Sequence, residues 1–228
     1  MTERDRSKRL DRITKLLAQA TSVAGTPEAE AFTDRAFQLT AATGIDWSGP
    51  QDTATVRCDF PVDGDFLDQR IMLLTRIATA MHCAYAYWLF SPTASTVEVY
   101  GTQANIVRVR LLYEPLQTRM FRQAMSSPWS PSSGLSLDEH RISWMQGFTL
   151  SIRARLRDAE ATAAADADRR DGTDIHTRRH VTDAEQAEAE KRRQLPKVRR
   201  RTFSPKLGHD ALTEGYRAGQ STDVQRRR

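Results

Sequence analysis

A chain of 228 residues holds one full domain with appendages or two small ones, and its 39% hydrophobic content can support a core; no stretch approaches the roughly 20 apolar residues of a membrane span, so a membrane helix is excluded. The net charge of +5 is unevenly placed: residues 1–50 carry 7 basic and 7 acidic side chains, 51–168 carry 11 and 13, and 169–228 carry 16 and 9. Asymmetry of this kind argues for a basic arm facing a polyanion rather than a generally sticky surface. The opening MTERDRSKRL is charged with no apolar run behind it, so no secretory signal is expected and the cytoplasm is the expected compartment. Cys58 and Cys83 form no C-x-x-C pair and are expected to be free thiols.

Leu10, Ile13, Leu17 and Ala20 recur at helical spacing, with Leu16 widening the stripe and Lys8, Arg12 and Lys15 on another face. In AGTPEAE, Thr26 suits a cap, Pro27 a first helical position, and Glu28 and Glu30 the positive end of a helix dipole. Ala29, Phe32, Ala36 and Leu39 form a second stripe that Gly44 terminates, so residues 4–44 read as a helical hairpin. TATVRCDFPV reads as a strand, followed by a turn at Asp63 and Gly64 and a helix capped by Asp65, with Leu67, Ile71, Leu74, Ala78 and Met81 on its inner face. HCAYAYWLF and TVEVYG fit a strand pair. A helical pattern from about Gln103 to Ala124 places Val109, Leu112, Leu116 and Met120 together, with Pro115 expected to kink or split it.

The Pro/Ser loop SSPWSPSSGLS is the best domain boundary. After it, Met145, Phe148, Ile152 and Leu156 stripe a helix expected to fade into EATAAADADRR, and DGTDIHTRRH reads as loop. TDAEQAEAEKRRQ has helix propensity but little apolar face, so an exposed or protruding helix is expected, ended by Pro196.

The segment RITKLLAQATSVAGTPEAEAFTDRAFQLTAATGID resembles an uncharacterised bacterial and phage family with the domain of unknown function 2786 at its N-terminus. Ile13, Lys15, Leu16, Leu17 and Ala18 match its first helix; Glu28, Ala29, Glu30, Ala36, Leu39, Gly44 and Ile45 match its second, while Phe37 and Thr40 depart from it. YGTQANIVRVRLLYEPL, SWMQGFTLSIRARL and GHDALTEGYRAGQSTDV are similar to later parts of the same family. The resemblance implies membership and no activity.

Motifs for nucleophilic, phosphate-cradling, dinucleotide and zinc-protease chemistry are absent from the sequence, which leans against an enzyme. His176 and His180 sit at i, i+4, a zinc-type spacing, but Arg178 and Arg179 flank them and no third ligand is evident; exposed loop histidines are the simpler expectation. His82, beside Cys83, reads as a packing residue at a strand start. Asp59, Asp63, Asp65 and Asp68 would serve a metal-dependent nuclease only if they converged. No metal, cofactor or catalytic residue is assigned. Gly215 and Gly219, four apart, let a second backbone come close, either within the chain or in self-association.

These readings combine into an α+β protein: an N-terminal helical hairpin (1–48), a central domain with a small three-stranded sheet packed with helices (49–168), and a basic C-terminal arm with a short terminal helix (169–228). The expected function is non-catalytic binding of DNA or RNA. The arm would supply Lys191, Arg192, Arg193, Lys197, Arg199, Arg200, Arg201 and Lys206, with Phe203 stacking on a base, and the hairpin would add Lys8, Arg12 and Lys15. The alternative is a structural or adaptor subunit, forming a homo-oligomer or meeting a protein partner through the hairpin and the Gly215/Gly219 helix. A metal-dependent nuclease is the third reading.

Overall fold

The computed structural model describes residues 3–23, 26–47, 54–197 and 205–220. In chain order the elements are α1 (Glu3–Ser22), α2 (Pro27–Trp47), β1 (Thr55–Asp63), α3 (Leu67–Ala80), β2 (Ala84–Ser91), β3 (Ala94–Thr102), α4 (Gln103–Ser126), α5 (Leu137–Asp171), α6 (Ile175–Gln194) and α7 (His209–Gly219). The protein is a mostly helical α+β fold with a three-stranded antiparallel sheet, as the patterning predicts.

In the hairpin, Ile13, Leu17 and Ala20 are buried along α1, and Thr26 Oγ1 accepts from the Ala29 N–H to start α2. The buried face of α2 is rotated from the predicted stripe: Phe32 and Leu39 are half-buried, whereas Thr33, Phe37 and Thr40 are inside. Threonine survives there because its hydroxyl donates to the carbonyl four residues back, Thr33 to Ala29 and Thr40 to Ala36, so no polar group is stranded.

The sheet order is β1-β3-β2. Alternation along β3 sends Val97 and Val99 to one face, where they join Phe60, Val62, α3, α4 and α5 in the main core. Glu98 and Tyr100 point to the other face; the Tyr100 hydroxyl donates to Glu98, and Tyr100 and Ala84 pack with Ala187 of α6. Helix α6 therefore lies against the sheet instead of protruding. Alanine-sized contacts suffice there because the backbone sits close, so a wide apolar stripe is not needed.

Three other expectations are corrected. Helix α4 runs unbroken through Pro115: Leu112, Leu116 and Met120 are buried on both sides of the proline, and that packing outweighs one lost hydrogen bond. Asp65 does not cap α3; Phe66 occupies that position in the left-handed region (φ 54°), its ring edge-on to Phe121 at 6.2 Å, while the Asp65 carbonyl accepts from Arg70 Nε. Helix α5 does not fade but continues to Asp171, and α6 starts at Ile175, leaving only residues 172–174 between them. Gly172 (φ 65°) turns the chain, and the Asp168 carboxylate accepts from the N–H groups of His176 and Thr177 and from the Thr177 hydroxyl, so a side chain of one helix caps the next.

Helix α7 docks on α5 through glycines on both helices. A Cβ on Gly215 would stand 2.7 Å from the Trp144 carbonyl carbon, one on Gly147 would stand 2.7 Å from the Tyr216 nitrogen, and one on Gly219 would stand 2.7 Å from Ser151 Cβ. Of the two uses open to the Gly215/Gly219 spacing, this is the intramolecular one.

Candidate functional site

Two buried polar networks tie the hairpin to the rest of the molecule. In the first, Glu30 of α2 meets Arg119 of α4 and Arg155 of α5. Arg119 also donates to Thr33 Oγ1 and to the Ala218 carbonyl, and Arg155 donates to Asp34 and to the Gly219 carbonyl. The two guanidiniums thus satisfy one acid of α2 and the terminal carbonyls of α7 together, where the negative end of that helix dipole favours a cation. Arg119 and Glu30 are both almost fully buried, so removing Glu30 leaves Arg119 as an uncompensated charge, while Glu30 keeps Arg155 when Arg119 is removed.

The second network centres on Glu160 of α5. Nη1 of Arg108 donates to both Glu160 oxygens at 2.7 and 2.9 Å and reaches the Thr40 carbonyl at 3.4 Å. Nη2 of Arg108 donates to Asn105, whose amide donates to Asp183 of α6. Gly44 makes room for this guanidinium: a Cβ there would lie 2.5 Å from Arg108 Cζ. On the same carboxylate, Glu160 Oε2 lies 3.3 Å from His82 Nε2 and 3.9 Å from His180 Nε2, and the two imidazoles stack at 4.0 Å between centroids. Burial works to raise the Glu160 pKa, but the charge and hydrogen bonds of Arg108, aided by the nearby His82, outweigh it and hold the carboxyl at about 2. Burial, then the His82 charge, pushes His180 down to about 4. At neutral pH the network is an anionic carboxylate facing a neutral His180.

His82 is not on a strand. It sits in the turn between α3 and β2 with φ 59°, a conformation that costs a non-glycine residue free energy unless its surroundings hold it. His176 does not join His180; its ring pairs with Asp171 at 3.0 Å. Among the described residues, His82, Glu160 and His180 are the one group of three His, Cys, Asp or Glu side chains whose ligand atoms lie within 4.8 Å of one another. Asp59, Asp63, Asp65 and Asp68 therefore do not converge; Asp59 pairs with Arg57.

The predicted basic residues divide into three groups. Lys8, Arg12 and Lys15 are exposed on α1. At the end of α6, Lys191 and Arg192 pair with Glu188, and Arg193 with Glu190, all within one helix, with the Arg192 and Arg193 side chains above 70% exposed. Lys197 and Lys206 are exposed, the latter donating to the Gly134 carbonyl. Arg199, Arg200, Arg201 and Phe203 lie outside the described residues. The structure adds a feature the sequence did not reveal: a groove of about 880 Å³ between the hairpin and α5, lined by Arg9, Arg12, Arg35, Arg155 and Arg170 together with Asp34, Asp158 and Asp166. A predicted α1 residue, Arg12, and Arg170 of the basic last quarter of the chain both line it.

Among the described residues, no helix is long and apolar enough to cross a membrane. No curated protein and no solved structure matches the chain. Residues 8–46, nearly the whole of the α1–α2 hairpin, match the family described as protein of unknown function (DUF2786). The residues that make Glu30 and Gly44 structurally necessary, Arg108, Arg119 and Arg155, lie outside that segment, so the hairpin is built to seat on the helices that follow it; the chain carries an N-terminal DUF2786 domain, of a family whose function is unknown.

Proposed function

We propose that this protein binds nucleic acid in the cytoplasm without catalysing a reaction on it, holding the phosphate backbone with arginines from both ends of the chain. The groove between the hairpin and α5 carries this reading, because five guanidiniums face three carboxylates there and the wall includes Arg170 at the start of the basic last quarter. Arg155 is committed to Glu30 and Asp34, so the phosphate contacts fall to Arg12, Arg35 and Arg170, extended by the basic end of α6 and by residues 197–206. The acids beside Lys191, Arg192 and Arg193 are their own helix neighbours on exposed surface, pairs weak enough for a phosphate to replace.

Titration of labelled DNA and RNA at several salt concentrations tests the proposal. With about four to six phosphates engaged, log affinity should fall with log salt at a slope of roughly −3 to −5. Changing Arg12, Arg35 and Arg170 together to Ala, or Arg199, Arg200 and Arg201 together to Ala, should each flatten that slope by up to about 3. Phe203→Ala should weaken single strands more than duplexes, by roughly 1–3 kcal/mol. No binding at low salt would overturn the reading.

The adaptor reading has its own observation: Trp88, Leu89 and Phe90, at the outer end of edge strand β2, are exposed, Phe90 by 71%. An apolar tip on a sheet edge suits a protein partner or a second copy. A mass measurement in solution, repeated on Phe90→Ser, tests it.

A further inference from the structure

We propose that His82, Glu160 and His180 bind one divalent transition-metal ion of the zinc class. Two imidazoles and one carboxylate are the donor set of three-ligand zinc sites that keep a further position open. A tetrahedral ion about 2.1 Å from its ligands needs ligand atoms about 3.4 Å apart. The two distances from Glu160 Oε2, 3.3 and 3.9 Å, bracket that value, and the two imidazoles, stacked nearly parallel, bring both in-plane lone pairs onto one ion once one ring turns out of the stack.

Three further features support the assignment. His82 Nε2 faces the Glu160 carboxylate at 3.3 Å, a pairing that needs a proton on that nitrogen; a coordinated ion would take the lone pair in the proton's place. The left-handed backbone at His82 closes α3, the Cys83 N–H donating to the Ala78 carbonyl and the His82 N–H to the Thr79 carbonyl, and this helix cap fixes where the ring stands. Glu160 is held from behind by Arg108, itself fixed by Asn105 and Thr40, the kind of outer partner that orients a ligating carboxylate.

The surrounding charges select the class of ion. Arg108 and Arg179 offset Glu160 and Asp183, so no net negative field draws in a hard cation. Binding must come from the imidazoles, which favours zinc, cobalt or nickel over magnesium or calcium. The open side of the site faces a groove of about 600 Å³ along α6, lined by His82, His180, Ala184, Glu188 and Arg192, which leaves room for water or an anionic oxygen at the remaining position. This assignment is independent of nucleic-acid binding.

Calorimetric titration of chelator-treated full-length protein with zinc, alongside the visible absorption of a cobalt(II) titration, tests it. One ion per chain is expected, with no uptake of magnesium at the same concentrations. His82→Ala and His180→Ala should each weaken zinc binding by at least roughly 100-fold, since losing only an outer-shell partner costs 10–100-fold. His176→Ala should leave it unchanged. If His82→Ala unfolds the turn, His82→Asn, which tolerates left-handed backbone, takes its place. No stoichiometric uptake, or loss in fewer than both histidine variants, overturns the assignment.

Discussion

The Glu30–Arg119–Arg155 clamp and the basic end of α6 use the same residue types for opposite ends. In the clamp, acid and arginine come from α2, α4 and α5 and are buried, so the pairing holds separate elements together. At the end of α6, Lys191, Arg192 and Arg193 pair with Glu188 and Glu190 three or four residues away on one exposed helix. There the pairing supports local helix and leaves the charges accessible. The difference teaches that ion pairs in this protein report on function only when burial and sequence separation are read with them: the clamp is architecture, while the α6 pairs are replaceable.

The sharpest way to break this comparison is to remove the shared acid of the clamp. Glu30→Ala leaves Arg119 buried without its carboxylate and should cost about 3–5 kcal/mol, read as a lowered Tm or denaturant midpoint. A change within error would mean that the clamp is not holding the hairpin. Next comes the docking of α7, whose last carbonyls the clamp receives. Gly215→Ala drives a methyl group into the Trp144 carbonyl and should cost at least about 1–3 kcal/mol, with protease cleavage appearing first around residues 197–208. Cleavage that begins in the hairpin instead would show that α7 is not the element released.

A smaller effect is expected at the α5 start, where Ser136 and Glu139 form a capping box. Ser136→Ala should cost about 1 kcal/mol and leave the clamp intact. Asp168, the cap shared between α5 and α6, contributes one part of the acid response beside the buried Glu160. Burial works to raise its pKa, but the Thr177 hydroxyl and the N–H groups of His176 and Thr177 outweigh it and hold the carboxyl below its ordinary 3.8. A carboxyl depressed in the folded state contributes stability above its unfolded value and loses that contribution as pH falls through 3.8 and below. Stability measured from pH 5 to pH 2 should show this loss, and Asp168→Asn should remove that part of the acid response. At the bottom of the scale, Arg193→Ala, on the exposed side of the comparison, should leave the melting temperature unchanged while weakening nucleic-acid binding at low salt.

Much of the architecture was legible because it repeats along the chain. Ile13 and Leu17 on α1, Leu67, Ile71 and Leu74 on α3, and Met145, Phe148 and Ile152 on α5 are spaced to face one way, and each is buried. The inner face of α2 was harder to read because Thr33 and Thr40 count as polar in a pattern but hide their hydroxyls on the helix backbone. The length of α5 and the start of α6 are not legible in the sequence because their junction is capped by Asp168, whose partners lie eight and nine residues on. Pro115 signals a break that the core on both sides of it overrules.

By itself, then, the sequence determined most of the elements, the fold class, the DUF2786 hairpin and the basic last quarter, because periodicity and charge are carried locally by the chain. Only the tertiary structure decided why Glu30 and Gly44 stand where they do, since Arg119 is 89 residues from Glu30 and Gly44 matters only where Arg108 passes it. Tertiary structure also decided that His180 meets His82 and Glu160 rather than His176. Those residues come from a turn and two helices, and no spacing along the chain encodes an encounter produced by packing α5 and α6 together beside the turn between α3 and β2.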